Sequence, residues 1–334
     1  MFLIEYEKLV AGDIILTGGK STAGVLVKVF TFSRFSHAMI WVDGTLIHSD
    51  GGGVYSKNPQ RMIFTSRSQV KVLRLKKRLS PRKRDIICNY ARSQVLSVYS
   101  TIEAAAVVIP WKIPLTERQF CSRLVAQCYD KAGIKLVKDA NYCTPANFDN
   151  PQLFDEVHDA VREATQVDID FTKTRDVNLE TQKDTVKMIT EIRKVYGKNI
   201  QTLRHVVDLL LKNPEADAIV TDIALRSGYF DHGEIDMVVN PWRYNEHEFR
   251  EYAQMHDLPV LELGAFIRVI GKSSASVHLN ELKTNQRYLE LSGGKFFHLQ
   301  IILYKKLINT EYLRRDLVRK ISKDYYGFVP VVYS

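Results

Sequence analysis

One short stretch restricts the possible folds of this chain more than any other: "SHAMIWVDGTLIHSD", residues 36–50. Apolar and polar side chains alternate on both sides of Asp43-Gly44, a dipeptide typical of a two-residue hairpin turn. With that turn, Val42 faces Thr45 across the two strands. The stretch therefore predicts an antiparallel β-hairpin over residues 36–50.

The predicted register brings two histidines to one face of the hairpin. His37 and His48 become diagonal neighbours, with Asp50 opposite His37, because side chains alternate along a strand. Diagonal neighbours lie about 7–8 Å apart at the backbone, so the two imidazoles can meet. Three interpretations stay open: satisfied core histidines, a zinc site completed by Asp50 or a cysteine, or part of a catalytic group.

The four cysteines lack any C-x-x-C spacing, which argues against a zinc knuckle or redox motif. Cys121 begins the clearest predicted helix, "RQFCSRLVAQCYDKAGI". A helix N-terminus favours a thiolate and supplies free N–H groups for an oxyanion, so we expect a lowered thiol pKa there. Cys88 and Cys128 lie at apolar helical positions and are expected to be core residues, while Cys143 lies in a loop.

Together these residues suggest nucleophilic cysteine catalysis. In this hypothesis the Cys121 thiolate attacks an acyl carbon and His37 accepts and returns the proton. His48 holds His37 in the required tautomer, with Asp50 as the alternative orienting group. The sequence does not choose between His48 and Asp50.

Several segments in this order resemble the permuted papain-like cysteine hydrolases. These are "GDIILTGG", "SHAMIWV", "LIHSDGGGV", "FCSRLVAQCYDKAGI" and "TPANFDNP", all within the first 155 or so residues. The resembling group contains the YiiX-like proteins, belongs to the NlpC-type superfamily, and is related to the lecithin:retinol acyltransferase family.

The resemblance implies that Cys121 is the nucleophile, His37 the general base and His48 the third polar residue. It also implies a substrate with a peptide, amide, isopeptide or lipid acyl bond, and neither a cofactor nor a metal. We expect hydrolysis of an amide or peptide-like bond. Lipid acyl transfer and a catalytically retired binding module are the alternatives. Arg123 stands where the motif of YiiX-like proteins often has glutamate, which puts activity or substrate in question.

The charge of the chain is uneven. The net charge is +9, and all of it falls in residues 1–158, with 22 Lys+Arg against 13 Asp+Glu. Eight basic side chains lie in "KVLRLKKRLSPRKR", residues 71–84. Such a run is usually a solvated surface, with weak contact to an anionic surface as the alternative. The neutral second half argues against a nucleic-acid-binding protein.

These patterns predict an α+β protein with two domains. A permuted papain-like catalytic domain is expected over residues 1–160, a polar linker over 161–182, and a mainly helical domain over 183–334. That helical domain has no identified role, and a protein partner is one candidate. The N-terminus lacks a basic n-region and no apolar run reaches the ~18 residues of a membrane helix, so we expect a cytoplasmic protein with free thiols.

Overall fold

The computed structural model describes residues 1–18, 34–50, 53–95 and 120–326. The chain divides into two compact units, Met1–Thr174 and Arg175–Ser334. Residues 21–32, whose apolar spacing favours a helix, and about 100–108, where the sequence predicts another helix, lie outside the described residues. The α+β class is confirmed, with a sheet-containing first unit and a helical second unit.

An antiparallel sheet forms the centre of the first unit. Its strand order is β5-β4-β3-β2-β6-β7, and each neighbouring pair runs antiparallel. The strands are β2 (Ile14–Thr17), β3 (His37–Trp41), β4 (Leu46–Asp50), β5 (Gly53–Lys57), β6 (Val70–Leu75) and β7 (Phe154–Glu156).

The predicted hairpin is confirmed as the β3–β4 pair. Met39 faces His48 and Trp41 faces Leu46, the register given by a two-residue turn. Asp43 and Gly44 both take positive φ, 60° and 100°, as the two central residues of a type I′ turn do.

The two faces of the sheet are covered differently. On one face, Ala38, Ile40 and Ile47 pack with helix α1 (Pro81–Ser93) and helix α2 (Cys121–Lys131) in the larger core. On the other face, Met39 and Trp41 belong to a smaller core, together with the buried residues Ile4, Ile15, Leu46, Val72, Ala160 and Val161. By alternation, His37 and His48 project from this second face.

Helix α1 begins as the sequence predicts. The Ser80 side chain accepts a hydrogen bond from the Lys83 N–H, and Pro81 occupies the first helical position. Helix α2 ends before Gly133, whose φ is +69°.

The segment 161–182, expected as a linker, carries regular structure. Strand β8 (Val161–Glu163) pairs with strand β1 (Phe2–Ile4), and helix α3 (Gln166–Lys173) follows. Arg162 joins the two ends of the unit, because its Nε donates to Glu5 at 2.6 Å and its Nη1 donates to Asp168 at 2.7 Å.

The second unit is built from helices. They are α4 (Val177–Tyr196), α5 (Leu203–Lys212), α6 (Asp217–Ser227), α7 (Ile235–Val239), α8 (Glu246–Met255), α9 (Val260–Ser292) and α10 (Lys295–Tyr326). Apolar spacing predicts helices at about 183–197, 201–212, 215–227, 245–256, 275–291 and 297–321, and each overlaps an observed helix. The helix at 235–239 was not predicted, and the helix at 260–292 begins well before its predicted start. The stretch "LPVLELGAFIRVIG", whose apolar pattern fits either a helix or a strand, is part of helix α9 from Val260 onward. Among the described residues, no helix has the length and apolar character to cross a membrane.

Candidate active site

The two histidines of the hairpin are in direct contact. His37 Nε2 and His48 Nδ1 are 3.1 Å apart, and the two rings meet edge to face with centroids 5.2 Å apart. A hydrogen bond between two neutral imidazoles needs one donor and one acceptor. If His37 donates from Nε2, its Nδ1 keeps a free lone pair that can accept a proton.

Burial keeps both imidazoles neutral. It lowers the pKa of His37 to about 3, with a further lowering from His48 and an opposing, raising contribution from Asp50. Burial, together with the positive charge of Lys57, lowers the pKa of His48 to about 3. Near neutral pH the pair is therefore an uncharged proton acceptor.

The Asp50 carboxylate lies farther from the two imidazoles than the imidazoles lie from each other. Its Oδ2 is 4.0 Å from His48 Nδ1, and its side chain is half exposed. The described β3–β4 register ends at Met39 and His48, so the predicted pairing of Asp50 with His37 is not part of it. Asp50 acts on His37 through charge, while His48 touches it.

Cys121 reaches the end of strand β3 from the helix-covered face. It is the first residue of helix α2, preceded by Phe120 in extended backbone at the N-cap. Its sulfur is hydrogen-bonded to the backbone at Ala38, the residue after His37. Ala38 lies just beyond the last β3–β4 residue pair. Because the β3–β4 ladder has ended there, the Ala38 backbone is available to hydrogen-bond the Cys121 sulfur. In the described part of the chain, no hydrogen bond joins this sulfur to either imidazole.

The expected low thiol pKa at Cys121 is wrong. Burial raises the pKa of the Cys121 thiol, and hydrogen bonds from the backbone at Ala38, from Ser122 and from its own backbone lower it only in part. Cys121 is 9% exposed, so losing water outweighs the helix N-terminus. The resting group is a neutral thiol beside a neutral histidine pair.

Ser122 connects Cys121 to the Cys143 segment. Its buried hydroxyl donates to the Cys143 carbonyl oxygen at 2.6 Å and also hydrogen-bonds the Cys121 sulfur. The hydroxyl has one proton, so it can donate to the Cys121 sulfur only when it releases the Cys143 carbonyl oxygen. Cys143, expected in a loop, is itself buried, which raises its thiol pKa to about 12.

Arg123 is buried and packs against aromatic rings. Its guanidinium carbon lies 4.5 Å from the Phe120 ring centroid and 6.0 Å from that of Tyr142. Its Nε donates to the Asn141 carbonyl oxygen at 3.2 Å. These contacts tie the segment before Cys143 to the start of helix α2, which is how an arginine fits at this position.

The remaining cysteines lie in the core, as expected. Cys88 and Cys128 are buried, and burial raises the thiol pKa of each. All four cysteines are free thiols. Within the described ranges, no three His, Cys, Asp or Glu side chains are grouped so that they could hold a metal ion.

The Cys121 thiol at the helix start therefore lies at the backbone one residue along strand β3 from His37, while the neutral imidazole pair projects from the other face of the sheet. These are the residue types that acyl transfer by a cysteine uses. Sequence reasoning missed the contributions of Ala38 and Ser122. Ser122 was readable as a hydroxyl next to the nucleophile, whereas the role of Ala38 depends on where the helix meets the strand.

Comparison with known proteins identifies the first unit. A family model described as "permuted papain-like amidase enzyme, YaeF/YiiX, C92 family" matches residues 8–177. Among solved structures, a match is the crystal structure of the metalloprotein YiiX from Escherichia coli O157:H7, with 17% sequence identity and a TM-score of 0.30. The alignment covers 45% of this chain and 97% of that one. No curated protein matches the chain.

Proposed function

The chain belongs to the permuted papain-like amidase family, and from this we propose that it hydrolyses an amide or peptide-like bond with Cys121 as the nucleophile. The observation that carries the proposal is the juxtaposition of the Cys121 sulfur with the backbone after His37, while His37 holds His48 at 3.1 Å. His37 is the general base and His48 orients it.

The first chemical step transfers the thiol proton. The Cys121 proton moves to Nδ1 of His37 as the sulfur attacks the substrate carbonyl carbon. His37 then carries a positive charge, and its Nε2–H donates to His48 Nδ1. The negative charge of Asp50 favours the imidazolium, consistent with its raising contribution to the pKa of His37.

The tetrahedral intermediate carries its negative charge on the former carbonyl oxygen. Backbone N–H groups in the first turn of helix α2, including that of Cys121, are candidates to hold this oxyanion, since no described side chain caps the helix start. Collapse breaks the C–N bond, and the amine leaves with the proton from His37. Water, deprotonated by His37, then hydrolyses the thioester and restores the thiol.

A neutral resting pair fits this mechanism. Papain-type catalysis by a preformed thiolate–imidazolium pair would need a raised histidine pKa and a lowered thiol pKa, and burial shifts both the opposite way. We therefore propose that proton transfer and attack occur together once substrate is bound.

The test is hydrolysis of a panel of amide, peptide, isopeptide and lipid ester probes by the wild type, Cys121→Ala and Cys128→Ala. Cys128 is the matched control, because it is a buried thiol on the same helix. We expect turnover of an amide or peptide probe, complete loss in Cys121→Ala and retention in Cys128→Ala.

Three results would contradict the proposal. Turnover that survives in Cys121→Ala would exclude Cys121 as the nucleophile. Turnover confined to lipid esters would replace amide hydrolysis by lipid acyl transfer, and inertness across the panel in a folded wild type would support a retired binding module.

A further inference from the structure

A basic corner lies where strand β6 leads into helix α1. It consists of Lys76, Lys77, Arg78, Arg82, Lys83 and Arg84, with the first four of these exposed. Only Lys76 has an acidic partner, Asp155 at 3.6 Å. The other five form no ion pair within the described part of the chain.

The position of these cations gives the fold little stabilisation. Arg82, Lys83 and Arg84 fall in the first turn of helix α1, which contains no acid. The helix dipole favours negative charge at this end, so three cations there are electrostatically unfavourable. Five unpaired cations in such a place indicate an interaction with something outside the unit.

The pocket beside the basic corner is not suited to binding an anion. It has a volume of about 840 Å³ and is lined by four Lys or Arg and four Asp or Glu side chains, so its formal charge is zero. Asp13, deep in it, is already bound by Arg74 at 2.6 Å. The excess positive charge therefore lies on the exposed corner, which fits an extended anionic surface better than a small anion.

We propose that the basic corner docks the protein on an anionic phospholipid surface. Basic side chains near such a surface are attracted by its lipids, and the corner needs no pocket for this. Residues 76–84 include no aromatic side chain, whereas single-stranded nucleic acids are held largely by stacking on aromatic rings. Exposed Val10 borders the same pocket as Arg78 and Arg84 and adds an apolar contact.

The test is co-sedimentation with vesicles of phosphatidylcholine alone or mixed with phosphatidylserine. The triple variant Lys77→Gln, Arg78→Gln, Arg82→Gln removes three exposed cations of the corner. The triple variant Lys187→Gln, Lys194→Gln, Lys198→Gln makes the same charge change on exposed lysines of the second unit.

We expect the wild type and the second-unit variant to bind vesicles that contain phosphatidylserine, more weakly as salt rises. The corner variant should bind roughly a hundredfold more weakly, at about 1 kcal/mol per cation. Equal binding of the two variants, absence of binding by the wild type, or stronger binding to RNA than to the vesicles would overturn the proposal.

A second inference rests on a different observation, the hydroxyl of Ser49. This side chain is 1% exposed, and its oxygen has no hydrogen-bond partner among the described residues. It shares a strand face with Ile47, which packs in the core beneath helix α2. Ser49 and Ala38, whose backbone bonds the Cys121 sulfur, are the next residues on their two strands beyond the last β3–β4 pair, Met39 and His48.

We infer that the Ser49 hydroxyl donates a hydrogen bond to the substrate carbonyl oxygen as it becomes an oxyanion, an inference that rests on the function proposed for Cys121. A buried hydroxyl without a partner is unfavourable in the folded protein. A donor held in this way next to the nucleophile is available when the oxyanion forms.

Ser49→Ala tests this with three measurements. We expect kcat to fall roughly 100-fold with little change in KM, as for loss of one oxyanion donor. The rate of Cys121 alkylation by iodoacetamide and the thermal midpoint should not fall, since no existing hydrogen bond is lost. Unchanged kcat in Ser49→Ala, with Cys121→Ala inactive, would overturn the role of Ser49 alone. Activity in Cys121→Ala would instead refute the proposed function.

Discussion

The two units each bury a histidine against a polar partner, but the partners differ. In the first unit His37 contacts a second imidazole at 3.1 Å, and the Cys121 sulfur is bonded to the backbone of the next residue, Ala38. In the second unit His232 contacts the Asp184 carboxylate at 3.0 Å, and all four cysteines of the chain lie outside that unit. A carboxylate partner also leaves a histidine able to accept a proton. What distinguishes the first unit is its thiols, and it is mainly burial that keeps His37 neutral.

The contrast extends to the other buried polar groups. In the second unit the half-buried Asp236 is held by Tyr244 at 2.5 Å and by Arg243 at 3.0 Å. In the first unit the buried polar groups near Cys121 include the Ser122 hydroxyl, the Cys143 thiol and the Arg123 guanidinium. The thiol chemistry we propose belongs to the first unit, which holds all four cysteines.

The largest expected effect comes from substituting His37 and His232 in parallel. His37→Gln should lower kcat by roughly 10²–10⁴-fold, the usual contribution of a general base. His232→Gln removes a buried histidine of the other kind and should leave kcat nearly unchanged while lowering thermal stability. Steady-state kinetics on the probe cleaved by the wild type measures both. Equal losses in the two variants would remove the distinction between the units.

The next effect separates His48 from Asp50. His48→Ala removes the acceptor for His37 and should lower kcat roughly 100-fold, whereas His48→Asn supplies an amide oxygen and should recover part of that loss. Asp50→Asn should change kcat less than about tenfold, because the carboxylate is half exposed and its charge is screened by solvent. A larger loss in Asp50→Asn than in His48→Ala would make Asp50 the orienting group.

A smaller effect concerns stability and pH. His48 has a pKa of about 3 in the folded protein and an ordinary value of 6.5. The stabilisation that comes from keeping His48 neutral is therefore fully present above pH 6.5. As the pH falls below 6.5, His48 becomes protonated in the unfolded chain but stays neutral in the folded unit. The free energy of unfolding therefore decreases until about pH 3, where the folded His48 is protonated too. Between about pH 7 and about pH 4.5 this amounts to roughly 2–3 kcal/mol.

Urea unfolding at the two pH values checks this. A Trp242→Phe background leaves Trp41 and Trp111 as reporters in the first half of the chain. The loss of unfolding free energy at low pH should be smaller in His48→Gln than in wild type. An equal loss in both would show that His48 is not the group that titrates.

The sequence predicts what depends on neighbouring residues. The Asp43-Gly44 turn and the alternation around it determine the hairpin register, and with it the meeting of His37 and His48. The start of helix α2 at Cys121 is equally local. The helices of the second unit follow from apolar spacing over long segments.

Features that depend on distant contacts could not be predicted. The raised thiol pKa of Cys121 comes from burial, which a helix N-terminus does not reveal. Strand β7, in a segment interpreted as turn and short helix, has three residues and forms only because β6 offers an edge. The Ala38 backbone can reach the Cys121 sulfur only because the β3–β4 ladder ends before Ala38. No local sequence pattern indicates where that ladder ends.

The most direct test of the central claim is to trap the acyl-enzyme. The wild type is mixed with a slowly hydrolysed activated acyl probe, quenched, digested and mapped by mass spectrometry, with His37→Gln in parallel. We predict a hydroxylamine-sensitive thioester on the peptide containing Cys121, formed much more slowly in His37→Gln. An adduct on Cys143 or on a lysine, or equal rates in the two proteins, would contradict the account.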